Sequence, residues 1–125
     1  MRLLLDAHAL LWWLADDPSL DRAAHDLIAD PANEVIVSAA TVWEIAIKRA
    51  MGKLSAPDGL AGVLDRSGFI EAPVTAADAE HAGGLEAIHR DPFDRMLVAQ
   101  AVRLHAVVVT RDPVFGRYGA ETVPA

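Results

Sequence analysis

The chain has 125 residues, of which 53% are hydrophobic and 23% charged, so it is long enough for one substantial core but not for two. It contains no cysteine, which excludes disulfides, zinc–thiolate sites and thiol nucleophiles. The net charge of −7 argues against a general polyanion binder. It does not exclude a nucleic-acid enzyme, because acids gathered at a metal site contribute to that total. We expect a single domain over residues 1–125.

The amino-terminal apolar run Leu3–Leu5 begins like a signal peptide. Asp6 and His8 interrupt the run, and residues 16–18, Asp-Asp-Pro, close it well short of the length of a membrane span. We therefore expect a cytoplasmic protein.

Short apolar runs alternate along the chain with stretches that have helical spacing. Runs without polar alternation, such as Leu3–Leu5 and Val107–Val109, predict strands buried on both faces. In chain order, the predicted elements are strand 2–6, helices 7–15 and 19–29, strand 34–37, helices 41–51 and 58–66, strand 69–72, helices 75–88 and 92–105, strand 106–110, a helical turn at 113–115 and a weak edge strand at 121–123. Strands that alternate with helices predict an α/β fold with a mainly parallel sheet.

Four carboxylates fall where such a sheet forms its functional sites, beyond the carboxyl ends of the strands. Asp6 follows the first predicted strand, and Asp112 follows strand 106–110. Glu44 and Asp94 each lie in the first turn of a predicted helix. Four acids that converge from separate segments repel one another strongly unless a cation binds between them. The pattern therefore predicts divalent-metal chemistry.

Each of these acids also has a purely structural interpretation at a helix terminus. Asp6 directly precedes a predicted helix, and Asp112 precedes the turn at 113–115, so both fit N-caps. Glu44 lies three residues after Thr41, which is the spacing of a capping box. All four acids nevertheless fall at the active edge of one sheet, and four such coincidences favour a functional site.

The segment Asp91-Pro92-Phe93-Asp94 contains a fifth acid. Asp91 fits the N-cap, Pro92 the first helical position and Asp94 the third. The simplest division of labour gives Asp91 the cap and Asp94 the site.

Other candidate residues favour structural roles. The five histidines show no paired metal-binding spacing, which favours surface or capping positions for them: His8, His25, His81, His89 and His105. Three tryptophans lie on predicted helices beside apolar neighbours, which favours packing in the core or in a dimer over base stacking: Trp12, Trp13 and Trp43.

Four ordered segments span nearly the whole chain: LLLDAHALLW at 3–12, SAATVWEIAIK at 38–48, DPFDRMLVAQA at 91–101 and VTRD at 109–112. Together they resemble the PIN-domain ribonucleases of the VapC toxin family, which belong to type II toxin–antitoxin systems. The resemblance implies a three-layer α/β/α fold around a parallel sheet, a bound Mg²⁺ for which Mn²⁺ can substitute, and endoribonuclease activity.

Carried over by position, the resemblance makes four acids both the catalytic and the metal-binding residues: Asp6, Glu44, Asp94 and Asp112. Asp91 belongs to the same motif in a secondary role. Ala7 stands where relatives often have threonine or serine, so a hydroxyl that would support the site is missing here.

The resemblance also implies partners. These are an RNA substrate, a cognate VapB-type antitoxin whose carboxyl-terminal segment blocks the acidic site, a homodimer, and a heterotetramer or larger assembly with the antitoxin. Five basic residues are candidates for guiding RNA, although solvated surface charge explains each equally well: Lys48, Arg49, Arg95, Arg111 and Arg117.

Two other functions are compatible with acidic residues at the ends of strands. A phosphatase or phosphoreceiver domain also has aspartates at strand ends, but residues 6–8 lack its Asp-x-Asp arrangement and no lysine follows a late strand. A non-catalytic module that only binds a partner is the second alternative, and the presence of all four acids argues against it.

Overall fold

The computed structural model describes all 125 residues. Its strands and helices, in chain order, are β1 (Arg2–Leu5), α1 (Ala7–Leu14), α2 (Arg22–Ala29), β2 (Glu34–Ser38), α3 (Ala39–Ala50), α4 (Leu60–Arg66), β3 (Ile70–Ala72), α5 (Ala76–Gly84), α6 (Pro92–Leu104), β4 (Val107–Val109), α7 (Val114–Arg117) and β5 (Thr122–Val123). Every helix is too short or too polar to cross a lipid bilayer.

The five strands form one sheet in the order β3-β2-β1-β4-β5, and every pairing is parallel. β1 lies at the centre, where Leu3 is opposite Val35 of β2 on one side and Val107 of β4 on the other. The chain moves outward from β1 to β2 and β3, then returns to the other side of β1 as β4. The strand order therefore reverses at β1, and a sheet of this type binds ligands beyond the carboxyl ends of the strands at such a reversal.

The sheet has a separate hydrophobic core on each face. Leu3 and Leu5 pack with apolar residues of α1 to α4, whereas Leu4 packs on the opposite face with α6 and α7. All three leucines are fully buried. Successive side chains of a strand point to opposite faces, so a strand covered on both sides reads as a continuous apolar run. The predicted three-layer α/β/α arrangement around a parallel sheet is confirmed.

The main differences from the predicted elements lie at helix ends. α3 begins at Ala39 rather than at residue 41, because the Ser38 hydroxyl accepts a hydrogen bond of 3.0 Å from the Ala40 amide and caps the helix. The predicted capping box of Thr41 and Glu44 is therefore wrong. α2 begins only at Arg22 and α4 only at Leu60, and α5 ends at Gly84, four residues before its predicted end. Glycine weakens a helix, which explains why α5 does not continue past the Gly83-Gly84 pair.

α5 is held against α6 by a buried carboxylate. Asp78 and Thr75 form a reciprocal capping box at the start of α5. Arg103 of α6 donates to both Asp78 carboxylate oxygens, at 2.6 and 2.9 Å. This hydrogen bonding by Arg103, together with that of Thr75, lowers the pKa of Asp78 to about 2. The contact is relevant to function because the first turn of α6 carries Asp94.

We predict that Asp78→Asn lowers the free energy of unfolding at neutral pH by roughly 2 kcal/mol, because charge-assisted hydrogen bonds to a buried group are lost. The pKa of Asp78 is lower in the folded chain, so the stabilisation is complete above the ordinary value of 3.8 and is lost as the pH falls toward 2. Urea denaturation followed by circular dichroism should show the difference between wild type and variant shrinking from pH 4 to pH 2. Glu80→Gln, an exposed change on the same helix, serves as the control; an equal loss in both variants would contradict the prediction.

Candidate active site

An open cleft of about 510 Å³ lies beyond the carboxyl ends of β1 and β4. Nearly all of its lining is ionisable. Its carboxylates are Asp6, Glu44, Asp91, Asp94 and Asp112, and its basic side chains are His8, Lys48, His89 and Arg111. The four acids singled out in the sequence therefore meet in one place, as the parallel sheet requires.

Asp6 both caps helix α1 and lines the cleft. Its Oδ1 accepts a hydrogen bond of 2.8 Å from the Ala9 amide and caps α1, so the structural interpretation of this acid is correct. The residue is only 8% exposed and still lines the cleft. Burial raises the pKa of Asp6 above its ordinary value, and the nearby charge of Asp112 raises it further, while hydrogen bonds from Thr110 and Ala9 act in the opposite direction.

Asp94 and Asp91 divide their roles as the sequence predicted. Asp91 caps α6 through Oδ1, which accepts from the amides of Phe93 at 2.8 Å and Asp94 at 3.4 Å. The Asp94 side chain is thereby left to face the cleft. Burial raises the pKa of Asp94 to about 6, and the negative charges of Asp91 and Glu44 contribute to the rise against a hydrogen bond with His89.

Glu44 lies in the second turn of α3, as its sixth residue, and not in the first. The side chain is nearly buried, and its Oε2 lies 2.6 Å from Nζ of Lys48, one turn further along the helix. The hydrogen bond with Glu44 raises the pKa of Lys48, and the charges of Asp91 and Asp94 act in the same direction. Lys48 is thus a built-in cation that neutralises part of the acid cluster.

Asp112 is the most exposed of the four acids. Its Oδ1 accepts a hydrogen bond of 2.9 Å from the Val114 amide, and its own amide donates to Thr110 Oγ1 at 3.0 Å. The Asp112 side chain thus holds the turn that leads into the short helix α7, whose N-cap is Pro113 without a side-chain hydrogen bond, and it also lines the cleft.

His89 is the cleft residue that the sequence interpretation passed over. It lies in the loop between α5 and α6, and its Nε2 is 2.9 Å from Asp94 Oδ2. The surface or capping role expected for the histidines is wrong for His89, whose side chain is 33% exposed inside the cleft. The sequence position of His89 could have indicated this contact. His89 lies two residues before the Asp91-Pro92-Phe93-Asp94 motif, so a short loop must bring it near the start of α6.

The contacts of the basic residues that are candidates for guiding RNA distinguish those that reach the cleft from those that do not. Arg95 donates to backbone carbonyls of the last turn of α5 and of the loop after it, so its guanidinium holds this part of the chain in place. Arg49 pairs with Asp58. Arg111 also donates to backbone carbonyls, those of Ala125 at 2.7 Å and of Ser19, but it lies in the cleft, where its guanidinium carbon is 4.5 Å from the centre of the Trp12 ring. Lys48 and Arg111 are therefore the predicted cations that reach the cleft.

The tryptophans also differ from one another. Trp12 lines the cleft, whereas Trp13 packs against the hydrophobic core beside Phe69. Trp43 is 63% exposed and touches Phe93 edge-on, so a core position is wrong for Trp43.

The sequence matches the PIN domain family over residues 3–121. No curated protein sequence matches the chain significantly. Its fold is similar to that of VapBC2 from Rickettsia felis bound to a promoter DNA fragment, with a TM-score of 0.72 and 16% identity over 99% of this chain and 98% of that one.

Two further solved structures show the same similarity of fold. DNA-bound VapBC from Salmonella typhimurium has a TM-score of 0.70 and 18% identity over 99% of this chain and 98% of that one. VapC20 from Mycobacterium tuberculosis, a toxin that cleaves the sarcin–ricin loop, has a TM-score of 0.64 and 18% identity over 98% of this chain and 99% of that one. The family match covers nearly the whole sequence and confirms the resemblance seen in its motifs: the chain belongs to the PIN domain family.

Proposed function

We propose that this chain is a divalent-metal-dependent endoribonuclease and the toxin of a VapBC-type toxin–antitoxin pair. The observation that carries the proposal is the convergence of Asp6, Glu44, Asp94 and Asp112 on one cleft at the reversal of the sheet. Membership of the PIN domain family supports it.

The side chains of the cleft fit a divalent cation. Burial raises the pKa values of Asp6 and Asp94, and neighbouring acids add to the rise, so a bound cation would stabilise the ionised form of both carboxylates. Lys48 offsets Glu44, whereas the side-chain partner of Asp94 is the His89 imidazole at 2.9 Å. Mg²⁺ and Mn²⁺ favour oxygen ligands and keep several bound waters, which suits carboxylates around an open cleft.

We assign Asp6 and Asp94 as the principal metal-binding residues, directly or through water, with Asp112 and Glu44 completing the site. A bound divalent cation supplies positive charge to a scissile phosphodiester and lowers the pKa of a water molecule. Lys48 holds Glu44 in place through its ammonium group, and Asp91 orients Asp94 by capping α6.

The rim of the cleft supports RNA as the substrate. Arg111 stacks on Trp12 beside the acids, and single-stranded RNA is commonly held by cations and by planar groups on which its bases stack. One relative of the same fold, VapC20, is a toxin that cleaves an RNA loop. We extend that substrate class to this chain.

The proposed partners are also based on proteins of similar fold. Relatives of this fold were solved as VapBC and FitAB complexes. We propose a VapB-type antitoxin for this chain, together with a homodimer and a heterotetramer or larger assembly. A net charge of −7 and a cleft rich in acids suit an inhibitory segment that carries a basic side chain.

We predict that the purified chain cleaves RNA in Mg²⁺ or Mn²⁺ and that EDTA stops cleavage. Asp6→Asn and Asp94→Asn should each reduce the rate by at least about 100-fold, because removing a metal ligand costs at least as much as removing its supporting contacts. Sequencing of the cleaved ends measures the rate and the cut sites together.

Asp65→Asn, an exposed change of the same type on α4, is the matched control and should keep full activity. Identical cleavage profiles for wild type and Asp6→Asn would refute the proposal. The same variants expressed in a bacterial host report on toxicity, and an Asp6→Asn protein as toxic as wild type would instead support a binding module.

We also predict that Asp94→Asn stabilises the metal-free chain at pH 7.5 by about 1 to 2 kcal/mol. The pKa of Asp94 is raised to about 6 in the folded chain, so its ionisation becomes a cost to folding as the pH rises from about 4 to 6. Urea denaturation in EDTA should show a clearly smaller gain at pH 4.5, between the ordinary pKa of 3.8 and the folded value, and almost none at pH 3, where the carboxyl is protonated in both states.

Asp65→Asn again serves as the control. Added Mn²⁺ should stabilise wild type more than Asp94→Asn, since an ion that binds only the folded chain raises its stability. A variant less stable than wild type at pH 7.5 in EDTA would contradict the prediction.

A further inference from the structure

His89 presents a nitrogen donor to the acid cluster. Its Nε2 lies 2.9 Å from Asp94 Oδ2, and donor atoms of His89, Asp94 and Asp112 all lie within 4.8 Å of one another. His8 also lines the cleft but is not part of this group. The cluster is thus a mixed set of one imidazole and two carboxylates.

The loop that carries His89 is held in place by two side chains. Arg95 donates to carbonyls in the last turn of α5, those of Ala82 and Gly83, and to three in the loop that follows, those of Leu85, Glu86 and His89. The Tyr118 hydroxyl accepts from the His89 amide at 3.0 Å and donates to the Glu86 carbonyl at 2.9 Å. These contacts fix the backbone of the loop that brings the His89 imidazole to Asp94.

The spacing of the two donors fits a shared ion. In an octahedral site with bonds of about 2.1 Å, two adjacent ligand atoms lie about 3 Å apart. The observed 2.9 Å between Nε2 of His89 and Oδ2 of Asp94 matches that separation.

We propose that His89 Nε2 is a direct ligand of the divalent cation, together with Asp94 and Asp112, and that the site therefore prefers Mn²⁺ or a similar first-row ion to Mg²⁺. The inference rests on the proposed function, because it concerns the cation of the same cleft. Imidazole binds first-row transition ions well, whereas Mg²⁺ favours oxygen ligands, so one nitrogen in the set shifts the preference. The competing role for His89 is a hydrogen bond that only orients Asp94.

Electron spin-echo envelope modulation of the Mn²⁺-loaded full chain separates these roles. We expect ¹⁴N modulation from a directly bound imidazole in wild type, its loss in His89→Gln, and its retention in His8→Gln. Bound Mn²⁺ without nitrogen coupling in wild type overturns the inference and leaves the proposed metal site intact. Failure of wild type to bind Mn²⁺ at all counts against the proposed function itself.

Calorimetric titration with Mn²⁺ and with Mg²⁺ gives a second readout. His89→Gln should lose at least tenfold in Mn²⁺ affinity and clearly less in Mg²⁺ affinity, since even supporting contacts of a ligand are worth 10- to 100-fold. An equal loss for both ions, or no loss, overturns the inference. His89→Asn provides a second variant, and circular dichroism confirms that each variant is folded before it is titrated.

Discussion

The structure depends on one constraint, namely that all five strands run in the same direction. The carboxyl ends of the strands then meet at one edge, and the reversal of strand order at β1 opens a cleft there. Asp6 leaves β1 and Asp112 follows β4, while α3 and α6 bring Glu44 and Asp94 to the same edge. A sheet with mixed strand directions would have separated these acids.

Helix ends make this concentration of charge tolerable. Asp6, Asp91 and Asp112 each accept a backbone N–H at the start of a helix, where the macrodipole favours negative charge. A capping role and a place in the cleft are therefore compatible in Asp6 and Asp91. Asp94 receives no such backbone bond, and Glu44 relies on Lys48 instead. Burial and the neighbouring acids raise the pKa of Asp94 to about 6, so a bound cation would stabilise its ionised form.

Most of the fold was predictable because its signals are local. Leu3–Leu5 and Val107–Val109 are apolar without alternation, and the Asp91-Pro92 start of α6 is a strong capping pattern. The start of α3 was not predictable, since Ser38 and Thr41 are both good caps. The length and pairing of β2 decide between them. That shift of two residues moves Glu44 into the second turn of the helix.

The sequence by itself determined the α/β class, the order of the elements and the four acids that line the cleft, although Glu44 lies one turn further into its helix than predicted. Those features follow from hydrophobic periodicity and from caps, which depend on neighbouring residues. Only the tertiary structure brought His89 to Asp94, paired Lys48 with Glu44 in the cleft, and committed Arg95 to the loop. These contacts depend on where α5 ends and how α3 and α6 lie on the sheet, because a loop histidine has no periodicity that marks its partner.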